Sequence, residues 1–294
     1  MKEIIAKTIL QRMKPTMNGW FWNDYNMNLY RGCSHGCIYC DSRSLCYGDD
    51  YFDINKPKKD ALKILENELF SKRIKGICGM GGMNDPYNPL EKQLEITRGA
   101  LKLIHKYGYG VSIHTKSTLV LRDLDLLKEI NKHKSVIVIF TITTADLELQ
   151  KKIEPYASTT IERFEAIKQL NEAGIYAGIC MMPILPFIND TDENLDGIVE
   201  LSKTYNAKFI YAYFGVTLRD RQRDYFYKHL DKHFPYIKEK YIKTYGESYE
   251  CNSPRSKHLY QRLKEKCTEN HIYYKMEDIN NAFLKKPKQI ALNL

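Results

Sequence analysis

The sequence predicts an α/β fold, a partial (βα)6 TIM-like barrel with a helical C-terminal extension. Six short apolar runs alternate along the chain with segments whose apolar residues recur at helical spacing. Such alternation is typical of parallel βαβ units. Six units are fewer than the eight that close a full barrel, which favours an open sheet. The alternation stops after residue 218, where helical patterns rich in Tyr, Phe and Lys begin.

Each predicted strand is a short run of mostly apolar residues. The run over 136–142 is nearly continuous, which is typical of a parallel strand covered on both faces. The first strand leads into a cysteine-rich loop, and the second ends in a pair of glycines. In chain order the predicted strands span residues 27–31, 76–82, 111–116, 136–142, 175–182 and 208–214.

The predicted helices carry start and stop signals as well as apolar stripes. Ser, Thr, Asn and Asp favour the cap before a helix, Pro favours its first turn, and Gly favours its end. The helices that follow the strands are one over 58–70, one between Asn88-Pro89 and Gly108, one marked by Leu124, Leu127 and Ile130, one between the capping box 159–162 and Gly174, and one capped by Thr191.

The pattern divides the chain into an N-terminal segment over 1–19, the barrel over 20–218 and the extension over 219–294. Helices are predicted in the extension over 225–232, 236–245 and 257–270. The extension carries 17 Lys and Arg against 10 Asp and Glu, within a chain of net charge +9. This balance favours an acidic partner such as nucleic acid. Lysine-rich helices with solvated charged faces would give the same balance.

The sequence gives no sign of a membrane or secretory segment. No apolar run approaches the roughly 18 residues that span a bilayer, and the start, residues 1–7, is charged too early for a secretory signal. We therefore expect a cytoplasmic protein. In that reducing compartment the eight cysteines are expected to be metal ligands or buried apolar residues rather than disulfides.

A loop rich in cysteine follows the first predicted strand. Its cysteines are Cys33, Cys37 and Cys40. Gly32 and Gly36 let the backbone bend around them, so three thiolates can face one metal centre. Zinc would need a fourth ligand, for which Cys46 or His35 is available. An iron–sulfur cluster is also held by thiolates, and with three of them a four-iron cluster keeps one iron open.

The spacing Cys-x3-Cys-x2-Cys, with the aromatic residue Tyr39 before the last cysteine, resembles the signature of the radical S-adenosylmethionine (SAM) enzymes. Other segments resemble the spore photoproduct lyase-like branch of that superfamily. They are GGMNDPY at 81–87, TKS at 115–117, MPILP at 182–186 and TLR at 217–219. The resemblance covers roughly residues 20 to 290.

This resemblance implies a 4Fe-4S cluster held by the three cysteines, with SAM on the open iron. It also implies reduction of SAM to methionine and a 5'-deoxyadenosyl radical, which abstracts hydrogen from a substrate. The expected partners are SAM and an electron donor such as flavodoxin or ferredoxin. The cofactor carries the difficult chemistry. The protein binds and orients the cofactor and the substrate, and it excludes water.

Candidate SAM contacts follow from the resemblance and from their positions at strand ends. They are Tyr39, Gly81, Gly82, Asn84, Lys116, Thr141, Thr143, Ile179 and Met182. We expect the glycines and Asn84 at the SAM amino group, and Lys116 at its carboxylate or ribose. Most of these residues have an ordinary structural alternative. The glycines would form a plain turn, Lys116 would extend to solvent, the threonines would be ordinary strand residues, and Ile179 and Met182 would pack in the core. Tyr87 is a candidate radical relay or hydrogen donor, or else it packs the loop.

The first hypothesis for the substrate is a nucleic acid, with phosphates held by Arg219, Arg221 and Arg223. Pairing of these arginines with nearby aspartates is the alternative. Photoproduct lyases use a cysteine near the second strand end as hydrogen donor, and this chain has Cys78 upstream instead, which counts against reversal of thymine dimers. The second hypothesis is a radical SAM enzyme that acts on a peptide or small metabolite. The third is a zinc-stabilised binding protein without catalysis.

Overall fold

The computed structural model describes residues 3–14 and 19–284. Its strands are β1 (Leu10–Arg12), β2 (Tyr25–Met27), β3 (Tyr30–Arg31), β4 (Lys56–Pro57), β5 (Ile77–Met80), β6 (Gly110–Thr115), β7 (Val136–Thr141), β8 (Tyr176–Met181), β9 (Ile210–Ala212), β10 (Gly215–Thr217) and β11 (Glu250–Asn252). The ends of the predicted N-terminal segment and extension, at 1–2, 15–18 and 285–294, lie outside the described residues.

The helices largely follow the strands one by one. They are α1 (Ala61–Ser71), α2 (Glu91–Leu94), α3 (Ile96–Lys106), α4 (Leu124–His133), α5 (Leu147–Ile153), α6 (Thr160–Glu172), α7 (Asp192–Thr204), α8 (Asp220–His233), α9 (Ile237–Tyr245), α10 (Ser256–Glu269) and α11 (Met276–Phe283). Short 3-10 helices span Asp41–Arg43, Leu45–Tyr47 and Thr118–Asp123. None of the helices in the described ranges is long and apolar enough to cross a membrane.

A parallel sheet forms the centre of the fold. Within the described residues it has seven strands in the order β1-β2-β5-β6-β7-β8-β9. In this sheet each neighbouring pair from β2 through β5, β6, β7 and β8 to β9 is parallel, and β1 pairs antiparallel with β2. The edge strands β1 and β9 do not pair with each other, so the barrel is open. The prediction of an open (βα)6 barrel with a helical extension is confirmed.

The first predicted strand was placed wrongly. Strand β2 ends at Met27, and the backbone then leaves the sheet. Tyr30–Arg31 pairs instead with Lys56–Pro57 in a separate two-stranded ribbon. An apolar run does not reveal this break, because both pieces are buried.

The predicted helix after Asn88 is divided in two. The break falls at Glu95, whose φ of 49° is left-handed. The buried Glu91 carboxylate accepts hydrogen bonds from the backbone N–H groups of Thr97 (2.9 Å) and Arg98 (3.3 Å). A side chain of α2 therefore satisfies the free backbone donors at the start of α3.

The two faces of the sheet bury different cores. Toward the helices, Val138, Phe140 and Ile179 pack among the apolar stripes. On the other face, Phe21 lies among Ile139 and other side chains of the barrel interior. This inner packing also includes α11, whose Met276 sulfur accepts a hydrogen bond from the Phe21 backbone N–H at 3.3 Å. The N-terminal and C-terminal segments together therefore fill part of the barrel interior.

The extension builds its own core on the cysteine loop. Helices α9 and α10 follow the predicted ranges, α8 begins five residues earlier than predicted, and α11 was not predicted. Strand β11 pairs with β10 in a short antiparallel ribbon. Phe226 and Leu230 of α8 and Tyr241 of α9 are fully buried in one cluster with Cys37 and Tyr39. The loop that carries the cysteines therefore lies between the barrel and the extension.

Candidate active site

Backbone contacts hold the cysteine loop over the sheet. The Cys33 N–H donates to the Phe52 carbonyl at 2.7 Å, and the Ile38 N–H donates to the Ile153 carbonyl at 3.0 Å. At Gly32 the backbone has φ of 77°, and a Cβ there would lie 2.2 Å from the Ile54 carbonyl oxygen. Only glycine fits that position.

The loop directs its three thiols into one cavity at the carboxyl ends of the strands. This cavity is lined by Cys33, His35, Cys37, Cys40, Ser42, Gly81, Gly82, Met83, Asn84, Asp85, His114, Thr115, Lys116 and Thr141. The lining residues come from the loops after β3 and β5 and from the ends of β6 and β7. Loops at the carboxyl ends of parallel strands are where barrel enzymes place their sites.

Burial controls the protonation of the thiols. It raises the pKa of Cys33 to about 12, and the nearby carboxylate of Asp85 adds to the effect. It also raises the pKa of Cys37 and Cys40, where the positive charge of Lys116 acts in the opposite direction. Metal ligation requires the thiolate form, so binding of an iron–sulfur cluster is expected to release protons.

Asp85 joins the cysteine loop to β6. Its carboxylate accepts hydrogen bonds from the Thr115 hydroxyl (2.7 Å) and the Lys116 backbone N–H (2.7 Å), and it lies 3.1 Å from His35 Nε2. Burial would raise the pKa of Asp85, but His35 and these hydrogen bonds lower it to about 2. Sequence reasoning did not assign Asp85 and His35 to this role, although an Asp directly after a strand end was a usable signal.

A buried ion pair supports the loop from the side of α5 and α6. Arg163 Nη2 lies 2.6 Å from Glu154 Oε2, and both side chains are almost fully buried. The Tyr39 hydroxyl donates to the other Glu154 oxygen. Arg163 also donates to the Thr141 carbonyl at 2.6 Å. The pair was not predicted, because its members are far from the cysteines in sequence.

Lys116 and His114 present polar groups to the cavity. Burial alone would lower the pKa of Lys116, but the neighbouring Cys37 and the Glu154 carboxylate raise it, so the ammonium stays charged. Burial, followed by the charge of Lys116, lowers the pKa of His114 to about 4. His114 Nε2 has no hydrogen-bond partner among the described residues. A neutral imidazole and an ammonium are thus available to a bound group.

The cavity brings together five of the residues that the sequence predicted for SAM. They are Gly81, Gly82, Asn84, Lys116 and Thr141. Gly81 has a φ of 96°, and a Cβ there would lie 2.0 Å from the His114 carbonyl oxygen. The Asn84 amide donates to the Tyr30 carbonyl, which fixes its orientation. The Lys116 cation matches a ligand carboxylate, and the side-chain oxygen of Asn84 is left as an acceptor for an amino group.

The other predicted contacts lie elsewhere. Tyr39 has its hydroxyl occupied by Glu154. Thr143 is buried beyond the end of β7, where its carbonyl accepts hydrogen bonds from two asparagine side chains. Ile179 packs toward the helices and Met182 against the interior core. The structure does not place these four residues on the cavity wall.

Tyr87 is also away from the cavity. It is 1% exposed and packs in the helix-side core. Burial and the nearby Asp123 carboxylate raise its pKa well above the usual value. Its position therefore does not support the predicted role as radical relay or hydrogen donor.

The arginines of the extension are bound within the chain. Arg219 donates to Asp41 at 2.6 Å, and Arg221 donates to Asp50 at 2.7 Å. Arg223 is buried and donates to backbone carbonyls, including that of Leu218 at 3.0 Å. The phosphate-binding role predicted for these arginines is not supported. Two of them instead attach α8 to the segment that follows Cys40.

The candidates for a fourth zinc ligand are not available to the three thiols. His35 Nε2 faces Asp85, and His35 Nδ1 lies 3.2 Å from the Tyr156 carbonyl oxygen. Cys46 is exposed and is not among the residues lining the cavity. In the part of the chain that the structure describes, no group of three or more His, Cys, Asp or Glu side chains is arranged to hold a single metal ion.

An open parallel barrel with three thiols at its strand ends, one buried and two half-buried, is typical of a metallocofactor-dependent enzyme. The chain belongs to the radical SAM superfamily, whose sequence profile matches residues 27–202. Members of this superfamily use a 4Fe-4S cluster and SAM. The donor set of Cys33, Cys37 and Cys40 fits such a cluster.

The chain is similar in sequence to several relatives and in fold to solved structures. An uncharacterized protein of Methanocaldococcus jannaschii is 34% identical over 189 residues, which cover 63% of this chain and 70% of that protein. An uncharacterized protein of Mycobacterium bovis is 29% identical over 254 residues, covering 83% and 73%. Among solved structures, spore photoproduct lyase complexed with dinucleoside spore photoproduct superposes with a TM-score of 0.65 at 14% identity, covering 92% of this chain and 80% of that one.

Gly81→Ala should damage the cavity wall, whereas Gly82→Ala should not. The added Cβ at Gly81 meets a backbone carbonyl, and a non-glycine residue at that φ costs about 1–3 kcal/mol in addition. At Gly82 a Cβ would have no atom within 4 Å. Urea unfolding of both variants measures the difference in the free energy of unfolding. Equal losses would show that the contact with His114 is relieved at little cost.

Proposed function

We propose that this protein cleaves SAM reductively and uses the resulting radical to abstract hydrogen from a substrate. The observation that carries the proposal is the single cavity shared by three thiols, Lys116 and the strand-end glycines. When bound, the cluster held by Cys33, Cys37 and Cys40 supplies one electron to SAM, which yields methionine and a 5'-deoxyadenosyl radical.

The residues of this chain bind and orient SAM. Lys116 is placed to pair with the SAM carboxylate, since its ammonium is charged and faces the cavity. Gly81 and Gly82 give the SAM amino group close access to backbone carbonyls. His114 Nε2 and the Thr141 hydroxyl are available to the ribose.

For the substrate we propose a nucleic acid. The net charge of +9 and the likeness of fold to spore photoproduct lyase support this class. The phosphate contacts must come from cations other than Arg219, Arg221 and Arg223. We further propose a flavodoxin or ferredoxin as electron donor, and a cytoplasmic location, since the site requires reduced thiols.

Lys116→Ala should weaken SAM binding without loss of the cluster. A charge-assisted hydrogen bond contributes roughly 1.5–3 kcal/mol, so the affinity should fall about tenfold or more. The test uses anaerobically reconstituted protein and dithionite, and it measures 5'-deoxyadenosine released at several SAM concentrations together with the iron content.

Lys92→Ala provides the control, because Lys92 is an exposed lysine on α2. It should leave the SAM dependence unchanged. Equal SAM affinity in wild type and Lys116→Ala would remove Lys116 from the SAM site. Release of no 5'-deoxyadenosine by the wild type, with the cluster present, would contradict the proposed function.

A further inference from the structure

A second pocket adjoins the cysteine cavity. It is an open space between the segment 4–8 and residues on both sides of the cysteine loop. Ser42, Met83 and Asn84 line this pocket and the cysteine cavity alike. A molecule held in it would therefore reach the place proposed for SAM. We call it the Lys58 pocket; its walls include Asn28, Tyr30, Arg31, Tyr47, Asp49, Phe52 and Lys58.

Lys58 brings a positive charge to the wall of this pocket. It is half-buried, and its ammonium has no ion pair or hydrogen bond among residues 3–14 and 19–284. Burial and then the charge of Arg31 lower its pKa, and only Glu68 acts in the opposite direction. Glu68 is itself engaged, because it accepts hydrogen bonds from the backbone N–H groups of Ile9 (3.0 Å) and Leu10 (2.8 Å).

Arg31 adds a second positive charge on the same wall. Its guanidinium donates to the Tyr47 carbonyl at 2.8 Å and to the Gly48 carbonyl. The nearest carboxylate, Asp49, lies 3.7 Å away and is already bound to Lys56. Three cations, Lys7, Arg31 and Lys58, line the pocket against one carboxylate, Asp49, among the described lining residues. This excess of positive charge favours binding of an anion.

The remaining walls are suited to a flat, partly apolar group. Ile5 and Met83 are exposed and supply apolar surface to the pocket, and the buried rings of Tyr30 and Phe52 complete its lining. A ligand with an apolar ring and an anionic group matches such walls. A nucleotide unit has both.

We infer that the Lys58 pocket binds a phosphate group of the substrate beside Lys58 and Arg31, with the attached nucleoside directed toward the cysteine cavity. This inference rests on the proposed function, because it assigns the place of the nucleic-acid substrate. It also gives the phosphate contacts to residues before the barrel helices instead of the arginines of the extension.

The test compares Lys58→Met with Lys59→Met. Lys59 is the next residue and carries the same charge, but it is exposed and does not line the pocket. The probe is a labelled hexanucleotide of mixed sequence, as DNA and as RNA, titrated against reconstituted protein with SAM at two salt concentrations. Lys58→Met should weaken binding about tenfold and reduce the salt dependence by about one phosphate contact. Lys59→Met should bind like the wild type.

A hexanucleotide with uncharged methylphosphonate linkages separates charge from shape. The difference between Lys58→Met and the wild type should disappear with this probe. Thymidine monophosphate distinguishes a free nucleotide from a strand as the source of the phosphate, and loss of its binding in Lys58→Met would also support the pocket. Equal binding of the charged hexanucleotide by both lysine variants would overturn the inference, as would a difference that persists with the uncharged one.

The experiments distinguish failure of the inference about the Lys58 pocket from failure of the proposed function. Release of 5'-deoxyadenosine from SAM by the wild type, without nucleic acid, tests the proposed function alone. The binding titration tests the pocket whether or not SAM is cleaved.

Discussion

Replacement of Cys33, Cys37 or Cys40 by alanine should abolish SAM cleavage. All three thiols line one cavity, and a three-ligand cluster has no spare protein ligand. The loss should be complete within detection, because a cluster that is lost or converted leaves no electron path to SAM. Iron and sulfide content, the visible absorption of the reconstituted protein and 5'-deoxyadenosine release measure the effect.

Cys46→Ala is the matched control for these three variants. Cys46 lies six residues after Cys40 but is exposed, and its sulfur accepts a hydrogen bond from Ser44 at 3.3 Å. It should keep both the cluster and the activity. Loss of the cluster in Cys46→Ala, with retention in one of the other three, would show that the ligands are assigned wrongly.

Glu154→Ala should have the largest effect on folding stability. The change leaves the Arg163 guanidinium buried without its partner and removes the acceptor of the Tyr39 hydroxyl. Breaking a buried pair on one side costs about 3–5 kcal/mol. Urea unfolding of the metal-free protein measures the free energy of unfolding directly, without the contribution of a cluster.

Glu148→Ala tests whether burial of the ion pair causes the loss of stability expected for Glu154→Ala. Glu148 forms an ion pair of similar length, 2.7 Å, with Lys151, but both side chains are exposed. Exposed pairs contribute little, so this variant should unfold like the wild type. Similar losses in the two variants would contradict the account of Glu154 and Arg163 as the support of the cysteine loop.

The fold was predictable because its signals are local. Apolar runs and helix caps, such as the capping box at Thr159 and Glu162, identified the units, and the cysteine spacing identified the loop. The sequence did not predict on which face of a strand each side chain lies. In a parallel strand covered on both sides, the two faces are equally apolar. Ile179 was therefore expected at SAM, while it packs toward the helices and its neighbour Cys180 faces the interior.

The supports of the site depend on contacts between distant residues. Tyr39 and Glu154 are 115 residues apart, and no periodicity links them. Tyr87 lies away from the cavity for a related reason. It comes two residues after Asp85, but its side chain packs in the helix-side core near Asp123.

The attachment of α8 to the cysteine loop also has a consequence for biosynthesis. Asp41 follows Cys40 directly, and its partner Arg219 is synthesised 178 residues later. Ribosomes add roughly 5–20 residues per second, so this interval is on the order of ten to forty seconds. The cysteine loop therefore leaves the ribosome well before the helix that covers it. We therefore expect the thiols to be able to receive a cluster before α8 docks on the loop.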